Sequence, residues 1–248
     1  MTIKVAVVGA TGRMGKLALD IIDAAQDLSL HAALDSKSEL SQVLGADVVL
    51  DVTLPEVSPK VVEYCVTNGL KVLVGTSGWS AAKLGAVEGQ LKSAPATAAV
   101  TVIPNFSIGS MLASKFAAEA AKFFDSIEIV EAHHAGKIDS PSGTAVRTAE
   151  MIASARIDAG LTQPLIPGVG QEARGQVAAG VPIHSIRLAG ISAKQEIYFG
   201  GTDEVLTVSH DVSSTRAYIK GIHLCLVATA KATGLTVGLQ AVVEQSAN

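Results

Sequence analysis

The sequence Ile3-Lys-Val-Ala-Val-Val8-Gly9-Ala-Thr-Gly12-Arg-Met-Gly15 decides the fold of this chain. A β-branched run leads directly into three glycines and then into Lys16–Ile22, whose apolar residues recur at helical spacing. A strand, a glycine turn and a helix in this order are the context that a dinucleotide fingerprint requires. The spacing departs from G-x-G-x-x-G, since Ala10 stands at the first glycine position. The residues predicted to line the pyrophosphate are Gly9, Ala10, Thr11, Gly12, Arg13 and Met14.

A second strand-like run, Leu28–Leu34, ends at Asp35, roughly twenty residues past the glycine turn. An acid at this point can accept hydrogen bonds from the ribose hydroxyls of the adenosine. Lys37 can instead meet a 2′-phosphate, so NADH and NADPH both stay open as the cofactor. A cap on the next turn is the alternative interpretation of Asp35.

Three further apolar runs, at 47–53, 70–75 and 98–103, alternate with helical patterns. Strands that are apolar on both faces and alternate with helices indicate a parallel sheet covered on each side. Ligands of such sheets bind beyond the carboxyl ends of the strands. We therefore expect the segments after two of these strands to contact the cofactor, although ordinary strand-to-helix turns have the same composition. These residues are Gly75, Thr76, Ser77, Ile103, Pro104, Asn105 and Phe106.

The bulk composition excludes several classes of protein. Apolar residues make up 48% of the 248 residues, and the net charge of −4 with scattered Lys and Arg argues against nucleic acid as a partner. The apolar runs are shorter than the roughly 18 residues of a membrane helix, and the chain begins directly with a strand. These features predict a cytoplasmic protein without a membrane partner. Cys65 and Cys225 lie far apart in apolar contexts, which predicts small core residues rather than a disulfide.

The run Glu131-Ala-His133-His134-Ala-Gly-Lys137-Ile-Asp139-Ser-Pro-Ser142-Gly143-Thr144-Ala145 concentrates groups that can act on a dicarboxylate. Histidine transfers protons near neutral pH, and lysine holds a carboxylate or donates a proton. The N–H groups of Gly143 and Thr144 would open a helix where an anion binds. The alternative interpretation is a surface loop with a helix cap, because clusters of titratable groups mark sites only probabilistically.

The second half of the chain predicts a different architecture. A strand that begins at Ser126 is predicted to end at His133 and His134. A helix follows at about 142–159, and a Gly/Pro-rich loop covers 161–181. The runs 183–188, 193–199 and 204–210 alternate with period 2, which suggests an antiparallel sheet with one face open or paired to another subunit. A helix at 213–233 and a strand at 235–239 would return to the first domain.

These motifs resemble those of the 4-hydroxy-tetrahydrodipicolinate reductase (dihydrodipicolinate reductase) family over essentially the whole chain. The resemblance rests on four segments: 9–15, 75–78, 104–109 and the His-His-x-x-Lys-x-Asp-x-Pro-Ser-Gly-Thr spacing of 133–144. The departures, such as Ser140 in place of the usual alanine, remove no reacting group. Thr215 stands where the family has an arginine, with Arg216 one place later, which leaves the role of Arg216 open.

The resemblance implies NADH- or NADPH-dependent reduction of a cyclic dicarboxylate to tetrahydrodipicolinate, in diaminopimelate and lysine biosynthesis. His133 is then the proton donor or acceptor and Lys137 a proton donor, while His134, Gly143 and Thr144 hold the substrate. The implied fold is α/β, with a Rossmann-like cofactor domain (1–106 and 215–248) and an inserted α+β substrate and oligomerisation domain (107–214). Closure of the two domains would exclude water. A homotetramer is the implied assembly.

Two rival interpretations remain. Short-chain dehydrogenases share the glycine pattern but need Tyr-x-x-x-Lys, which none of the three tyrosines begins. A non-catalytic NAD(P)-sensing module would leave the His133–Thr144 cluster without a role. A metal site is not expected, because adjacent His133 and His134 point to opposite faces of a strand. The remaining histidines, none at metal-ligand spacing, are His31, His184, His210 and His223.

Overall fold

A computed structural model describes residues 2–164, 166–168 and 170–246. In the described residues the strands are β1 (Ile3–Val8), β2 (Leu28–Leu34), β3 (Val48–Asp51), β4 (Lys71–Val74), β5 (Ala99–Val102), β6 (Ser126–His133), β7 (Gln176–Ala178), β8 (Val181–Arg187), β9 (Ala193–Gly201), β10 (Glu204–Val212) and β11 (Gly234–Val237). The α-helices are α1 (Arg13–Ala24), α2 (Ser58–Thr67), α3 (Ala81–Leu91), α4 (Ile108–Ala120), α5 (Gly143–Asp158), α6 (Ile219–Thr229) and α7 (Leu239–Ser246).

The chain divides into two compact units. Unit 1 comprises Met1–Ile108 and Thr215–Asn248, and unit 2 comprises Gly109–Ser214. Unit 1 is a parallel sheet covered by helices, and unit 2 is an α+β arrangement inserted into it. The predicted fold class, a Rossmann-like sheet with an inserted α+β unit, is confirmed.

The sheet of unit 1 has the order β11-β5-β4-β3-β1-β2, and its paired strands are all parallel. Its central strands are apolar on both faces because helices cover each side. Val5, Val49, Leu73 and Val100 illustrate this, since all four are fully buried. Parallel strands bring their carboxyl ends to one edge, so the segments after β1–β5 meet there.

The turn between β1 and α1 depends on close backbone approach at two glycines. Gly9 has φ +90°, and a Cβ there would lie 2.7 Å from the carbonyl oxygen of Val52. A Cβ on Gly15 would lie 2.2 Å from the oxygen of Gly9. Gly9 therefore provides a conformation that L-residues rarely adopt, and Gly15 lets α1 pack directly on the turn.

The sheet of unit 2, in the order β10-β9-β6-β8-β7, is mixed rather than antiparallel. β6 is antiparallel to β9 but parallel to β8. The expectation of an antiparallel sheet was wrong because alternation reports which faces are buried and not strand direction. The helical crossover through α5 lets β8 return parallel to β6.

One face of this sheet changes from apolar to polar along its strands. Residues two apart on a strand share a face, so the register defines rows across β8, β6, β9 and β10. The apolar row is Ile183, Ile129, Ile197 and Val208. The next row towards the end of β6 is Ser185, Glu131, Gln195 and His210, followed by Arg187, His133, Ala193 and Val212. The apolar row packs against α4 and α5, whereas the polar rows carry the candidate site.

Other differences from the sequence-based expectation are local. The loop at 161–181 contains β7, which pairs with β8 across a tight turn in which Ala179 and Gly180 both have positive φ; Leu165 and Val169 of that loop lie outside the described residues. Leu239 begins helix α7 instead of ending a strand. The helix expected at 213–233 is shorter in the structure, where α6 is Ile219–Thr229 and follows a 3-10 turn at Thr215–Tyr218.

Cys65 and Cys225 are buried and free, and burial raises the pKa of both thiols to about 12.

The contact between Gly15 and Gly9 generates a stability prediction. Gly15→Ala is expected to lower the free energy of unfolding by about 2 kcal/mol. The added Cβ and the carbonyl oxygen of Gly9 are both attached directly to the backbone, so neither can move aside without shifting the main chain. Gly85→Ala is the matched control, since Gly85 lies in α3 and a Cβ there meets no atom within 4 Å. The control is expected to gain about 0.5–1 kcal/mol. Urea denaturation measures both, and equal midpoints for the two variants would contradict the prediction.

Candidate active site

The residues predicted to contact the cofactor lie at the carboxyl edge of the unit 1 sheet. The N–H groups of Gly9 and Ala10 both donate to the carbonyl oxygen of Leu34, at 3.0 and 2.9 Å. This pairing joins the glycine turn to the end of β2, one residue before Asp35. A Cβ on Gly75 would lie 2.6 Å from the Phe106 ring, so the segments after β4 and β5 touch. The structure therefore brings the four predicted segments to one edge.

Helix α1 begins at this edge with features that suit an anion. Its N-cap is Gly12, which has no side chain to accept hydrogen bonds from the first helical N–H groups. The first turn contains no acidic residue, and Arg13 and Lys16 lie there instead. Thr11, Gly12 and Arg13 are exposed. Because a helix N-terminus carries partial positive charge, this arrangement accommodates a pyrophosphate. The residues therefore fit a dinucleotide cofactor.

A buried carboxyl group fixes the neighbouring turns. Asp51 accepts hydrogen bonds from the hydroxyl of Ser58, the hydroxyl of Thr53 and the Thr53 N–H, the last at 3.0 Å. Burial raises the pKa of Asp51, and these hydrogen bonds oppose the rise. The buried hydroxyl of Thr76 donates to the carbonyl oxygen of Thr53 at 3.3 Å. The Thr76 side chain thus holds the turn after β4, while Ser77 beside it is exposed.

Asp35 lies at the end of β2 with its side chain exposed. Its Oδ1 accepts from the Lys37 N–H at 2.9 Å and from the Ser38 hydroxyl at 2.8 Å. The hydrogen bond from the Lys37 backbone is the main cause of a lowered Asp35 pKa. The side chain therefore both closes the turn and presents an ionised carboxylate at the edge where the ribose of a dinucleotide would lie.

In unit 2, the end of β6 carries His133 into the polar rows. The Nδ1 atom of His133 lies 2.6 Å from Oε2 of Glu131, which is fully buried. An ionised carboxylate only accepts, so we assign the proton to Nδ1. The Nζ atom of Lys137 lies 2.6 and 2.7 Å from the carboxylate oxygens of Asp139. His134 follows in an exposed turn, in which the Lys137 N–H donates to the His134 carbonyl oxygen at 3.0 Å.

The carboxylate of Glu131 is the most highly coordinated group of the cluster. Arg187 donates from Nη1 to Oε2 and from Nη2 to Oε1, each at 2.9 Å. The N–H of Ser142 donates to Oε1 at 3.2 Å. Burial acts to raise the pKa of Glu131, but hydrogen bonds from Arg187, Ser185 and His133 outweigh it, and the pKa is lowered. Glu131 is therefore an anion with four hydrogen-bonding partners: Arg187, His133, Ser142 and Ser185.

The pKa of His133 is lowered, chiefly because burial disfavours the charged ring. The Glu131 carboxylate opposes this effect, whereas the positive charges of Lys137 and Arg187 reinforce it. A histidine in this state loses a proton more readily than one in water. When it is protonated, such a ring is a stronger acid than a histidine in water.

The N-terminus of α5 completes the cluster. Ser142 is the N-cap, and its Oγ accepts from the Ala145 N–H at 3.2 Å. Gly143 and Thr144 take the first two helical positions, where N–H groups have no acceptor within a helix. The first turn contains no acidic residue. This is a second helix N-terminus that suits an anion, and it lies in the same segment as His133, His134 and Lys137.

Sequence reasoning missed Glu131 and Arg187 as members of the site. One signal was present, since Glu131 stands two residues before His133 and therefore on the same face of a strand. Arg187 is 56 residues from Glu131, and only the pairing of β6 with β8 brings them together. Three of the other histidines have structural partners: His31 contacts Leu44, His184 contacts Glu128 and His223 contacts Asp27.

Two further findings concern the described part of the chain. Its His, Cys, Asp and Glu side chains form no group of three or more that could hold a metal ion. None of its helices combines the length and the apolar character that crossing a membrane requires.

The chain is similar to known proteins over nearly its whole length. Family models for the N-terminus and the C-terminus of dihydrodipicolinate reductase match residues 3–106 and 109–243. The 4-hydroxy-tetrahydrodipicolinate reductase of Clavibacter sepedonicus is 54% identical, covering 98% of this chain and 87% of the relative. The Streptomyces griseus protein of the same name is 42% identical over 96% of each chain. A dipicolinate-bound dihydrodipicolinate reductase structure from Paenisporosarcina sp. TG-14 has a TM-score of 0.80 and 31% identity, covering 96% of this chain and 98% of its own.

Proposed function

This chain belongs to the dihydrodipicolinate reductase family, and on that premise we propose that it reduces 4-hydroxy-tetrahydrodipicolinate (dihydrodipicolinate) to tetrahydrodipicolinate. It is an NADH- or NADPH-dependent oxidoreductase of diaminopimelate and lysine biosynthesis. The observation that carries the proposal is the cluster of unit 2, where one short segment holds a histidine paired with a buried carboxylate, a lysine and a helix N-terminus.

Unit 1 is proposed to bind the dinucleotide and unit 2 the substrate, in line with the domains expected at 1–106 with 215–248 and at 107–214. In unit 1 the glycine turn and the α1 N-terminus would hold the pyrophosphate. Asp35 would accept from the ribose hydroxyls. The segments 75–77 and 103–106 would line the same edge. When bound, the reduced nicotinamide supplies a hydride.

The substrate is proposed to bind through its carboxylates. The N–H groups of Gly143 and Thr144, together with His134, would hold one carboxylate at the N-terminus of α5. The ammonium group of Lys137 would attract the same dianion and act as a proton donor. A dianion near these groups favours their charged forms, so binding would raise the pKa of His133 towards its ordinary range.

From the 4-hydroxy form, loss of the 4-hydroxyl group as water would give the conjugated dihydrodipicolinate ring, and the reduction then adds one hydride and one proton across that conjugated system. The hydride leaves an electron pair on the substrate, and that pair takes up the proton. Because Glu131 engages Nδ1 of His133, Nε2 is the nitrogen left to deliver it. A positioned group of this kind typically contributes 10²–10⁴-fold to the rate. Lys137 would stabilise the developing negative charge beside the carboxylate.

The first test is turnover with freshly generated dihydrodipicolinate, followed as NADPH and NADH oxidation at 340 nm. We expect turnover that pyridine-2,6-dicarboxylate inhibits competitively, because the planar dicarboxylate mimics the substrate. The ratio of the two cofactor rates then shows how Asp35 and Lys37 divide recognition of the adenosine ribose. Tight NAD(P)H binding without turnover, and without any response to the dicarboxylate, would instead indicate a sensing module.

His133→Gln tests the assigned proton transfer. The amide is similar in size but cannot exchange a proton, so kcat is expected to fall at least about tenfold. The dissociation constant for NADPH, measured by fluorescence, should stay within about twofold, because His133 belongs to unit 2. His223→Gln is the control, since His223 lies on α6 and contacts Asp27. Full kcat in His133→Gln would refute the assignment.

The assembly is proposed to be a homotetramer formed through the open face of the unit 2 sheet. Val177, Ile186 and Val205 lie on the face opposite the helices and are 38, 45 and 69% exposed. Exposed apolar side chains grouped on one face are typical of subunit contacts. Light scattering should give about four times the 25.3 kDa chain mass, and a monomer mass would contradict the proposal. The enzyme is further proposed to be cytoplasmic and to have no nucleic-acid or membrane partner, and the net charge of −4 argues against nucleic acid.

A further inference from the structure

We propose that Arg187 and Glu131 are positioning residues that place the two proton-transferring side chains together, as one hydrogen-bonded unit. Glu131 orients the imidazole of His133, and Arg187 holds both Glu131 and the main chain that carries Lys137. The inference rests on the proposed function, because it concerns how His133 and Lys137 perform the same reaction.

The guanidinium group of Arg187 contacts both Glu131 and the main chain of the loop that follows β6. Arg187 makes a bidentate contact with Glu131, with Nη1 and Nη2 each 2.9 Å from a carboxylate oxygen. The same group donates from Nε to the carbonyl oxygen of Lys137 at 3.2 Å and from Nη2 to that of Asp139 at 2.6 Å. A planar fork of five donors can satisfy these acceptors together, whereas the point charge of a lysine cannot.

The segment between β6 and α5 is held by contacts to Glu131 and Arg187. Residues 134–142 belong to neither a helix nor a strand, so cross-links rather than a regular ladder fix their course. Arg187 supplies two of these cross-links, at Lys137 and Asp139. Glu131 supplies a third, since it accepts from the N–H of Ser142, the N-cap of α5. Both ends of the segment therefore depend on the Glu131–Arg187 pair.

The imidazole of His133 depends on Glu131 for its orientation. His133 can rotate about its side-chain bonds, and the contact of Nδ1 with Glu131 fixes both the ring plane and the tautomer. The charged groups facing His133 are Glu131 on its own strand, Lys137 on the following loop and Arg187 on β8. Only Glu131 raises the pKa of His133, so its removal lowers that pKa further, while the other two charges remain.

The test uses Arg187→Lys and Glu131→Gln, with Arg147→Lys as the matched control. Arg147 is an exposed arginine of α5 that contacts Glu150. We expect kcat to fall about 10- to 100-fold in both site variants, since a misplacement near 1 Å is enough for such a loss. KM for the nucleotide should stay within about twofold. In Arg187→Lys, KM for the dicarboxylate substrate should also rise, because the loop that carries Lys137 loses its hydrogen bonds from Arg187.

Two readouts separate positioning from a merely structural role. In Glu131→Gln, the alkaline limb of the kcat/KM profile should move to lower pH by about one unit, since the protonated ring then loses its proton earlier. In Arg187→Lys the limb should stay in place, because the positive charge is kept. In ¹⁵N NMR of the nucleotide-free protein, neutral His133 should carry its proton on Nδ1, and this fraction should fall in Glu131→Gln.

The double variant tests whether the pair acts as a unit. We expect its kcat to lie within about threefold of the slower single variant, whereas independent residues would lose the product of both effects. If Glu131→Gln does not fold, as judged by its melting temperature, Arg187→Lys alone carries the test, because it keeps the buried charge pair. Wild-type kcat in Arg187→Lys, or an unchanged pH limb and tautomer in folded Glu131→Gln, would overturn the inference. Absence of turnover in the wild-type enzyme would instead refute the proposed function.

Discussion

The ion pair between the fully buried Glu131 and the partly exposed Arg187 is the constraint on which the arrangement of unit 2 depends. A carboxylate with no exposed surface is costly unless its lone pairs are satisfied, and Glu131 satisfies them with Arg187, His133 and the N–H of Ser142. A pair of this kind adds little net stability compared with well-packed apolar residues, but it tolerates few alternative geometries. It therefore specifies where the histidine, the following loop and the start of α5 must lie.

The same strand provides both the core and the site because its face changes character along its length. Ile127 and Ile129 pack beneath α4 and α5, and two residues later the same face carries Glu131. The neighbouring strands turn from apolar to polar at the same row, since Glu131 pairs with Gln195 on one side and with Ser185 on the other. Side-chain period 2 fixes this alignment, because a slip of one residue would move the charged group to the opposite face. The apolar rows thus anchor the polar rows.

Local sequence patterns predicted much of this molecule. The remaining features depend on long-range strand pairing, which those patterns do not show. The glycine turn after Val8 could be predicted from the sequence, because the close backbone approach there leaves no room for a Cβ and so requires glycine at positions 9 and 15. The segment from His133 to Thr144 was readable because its groups are neighbours in sequence. Arg187 was not, since only the parallel pairing of β8 with β6 brings it to Glu131. Strand direction and register come from tertiary packing, which the period-2 pattern does not encode. The short strand β7 was missed for a similar reason, because its turn uses Ala179 in place of a typical turn residue.

The charges of the cluster also explain how a dicarboxylate could be admitted without disturbing the buried pair. Lys137 contacts Asp139, whose side chain is 65% exposed, and ion pairs of this exposure are typically worth roughly 0.2–1 kcal/mol. A substrate carboxylate can therefore replace Asp139 at the ammonium group with little loss. Arg187, in contrast, binds the carbonyl oxygens of Lys137 and Asp139 rather than their side chains, so the main chain stays in place during such an exchange. In the proposed site, exchangeable side-chain contacts on a fixed main chain would let a dicarboxylate bind and leave while His133 keeps its orientation.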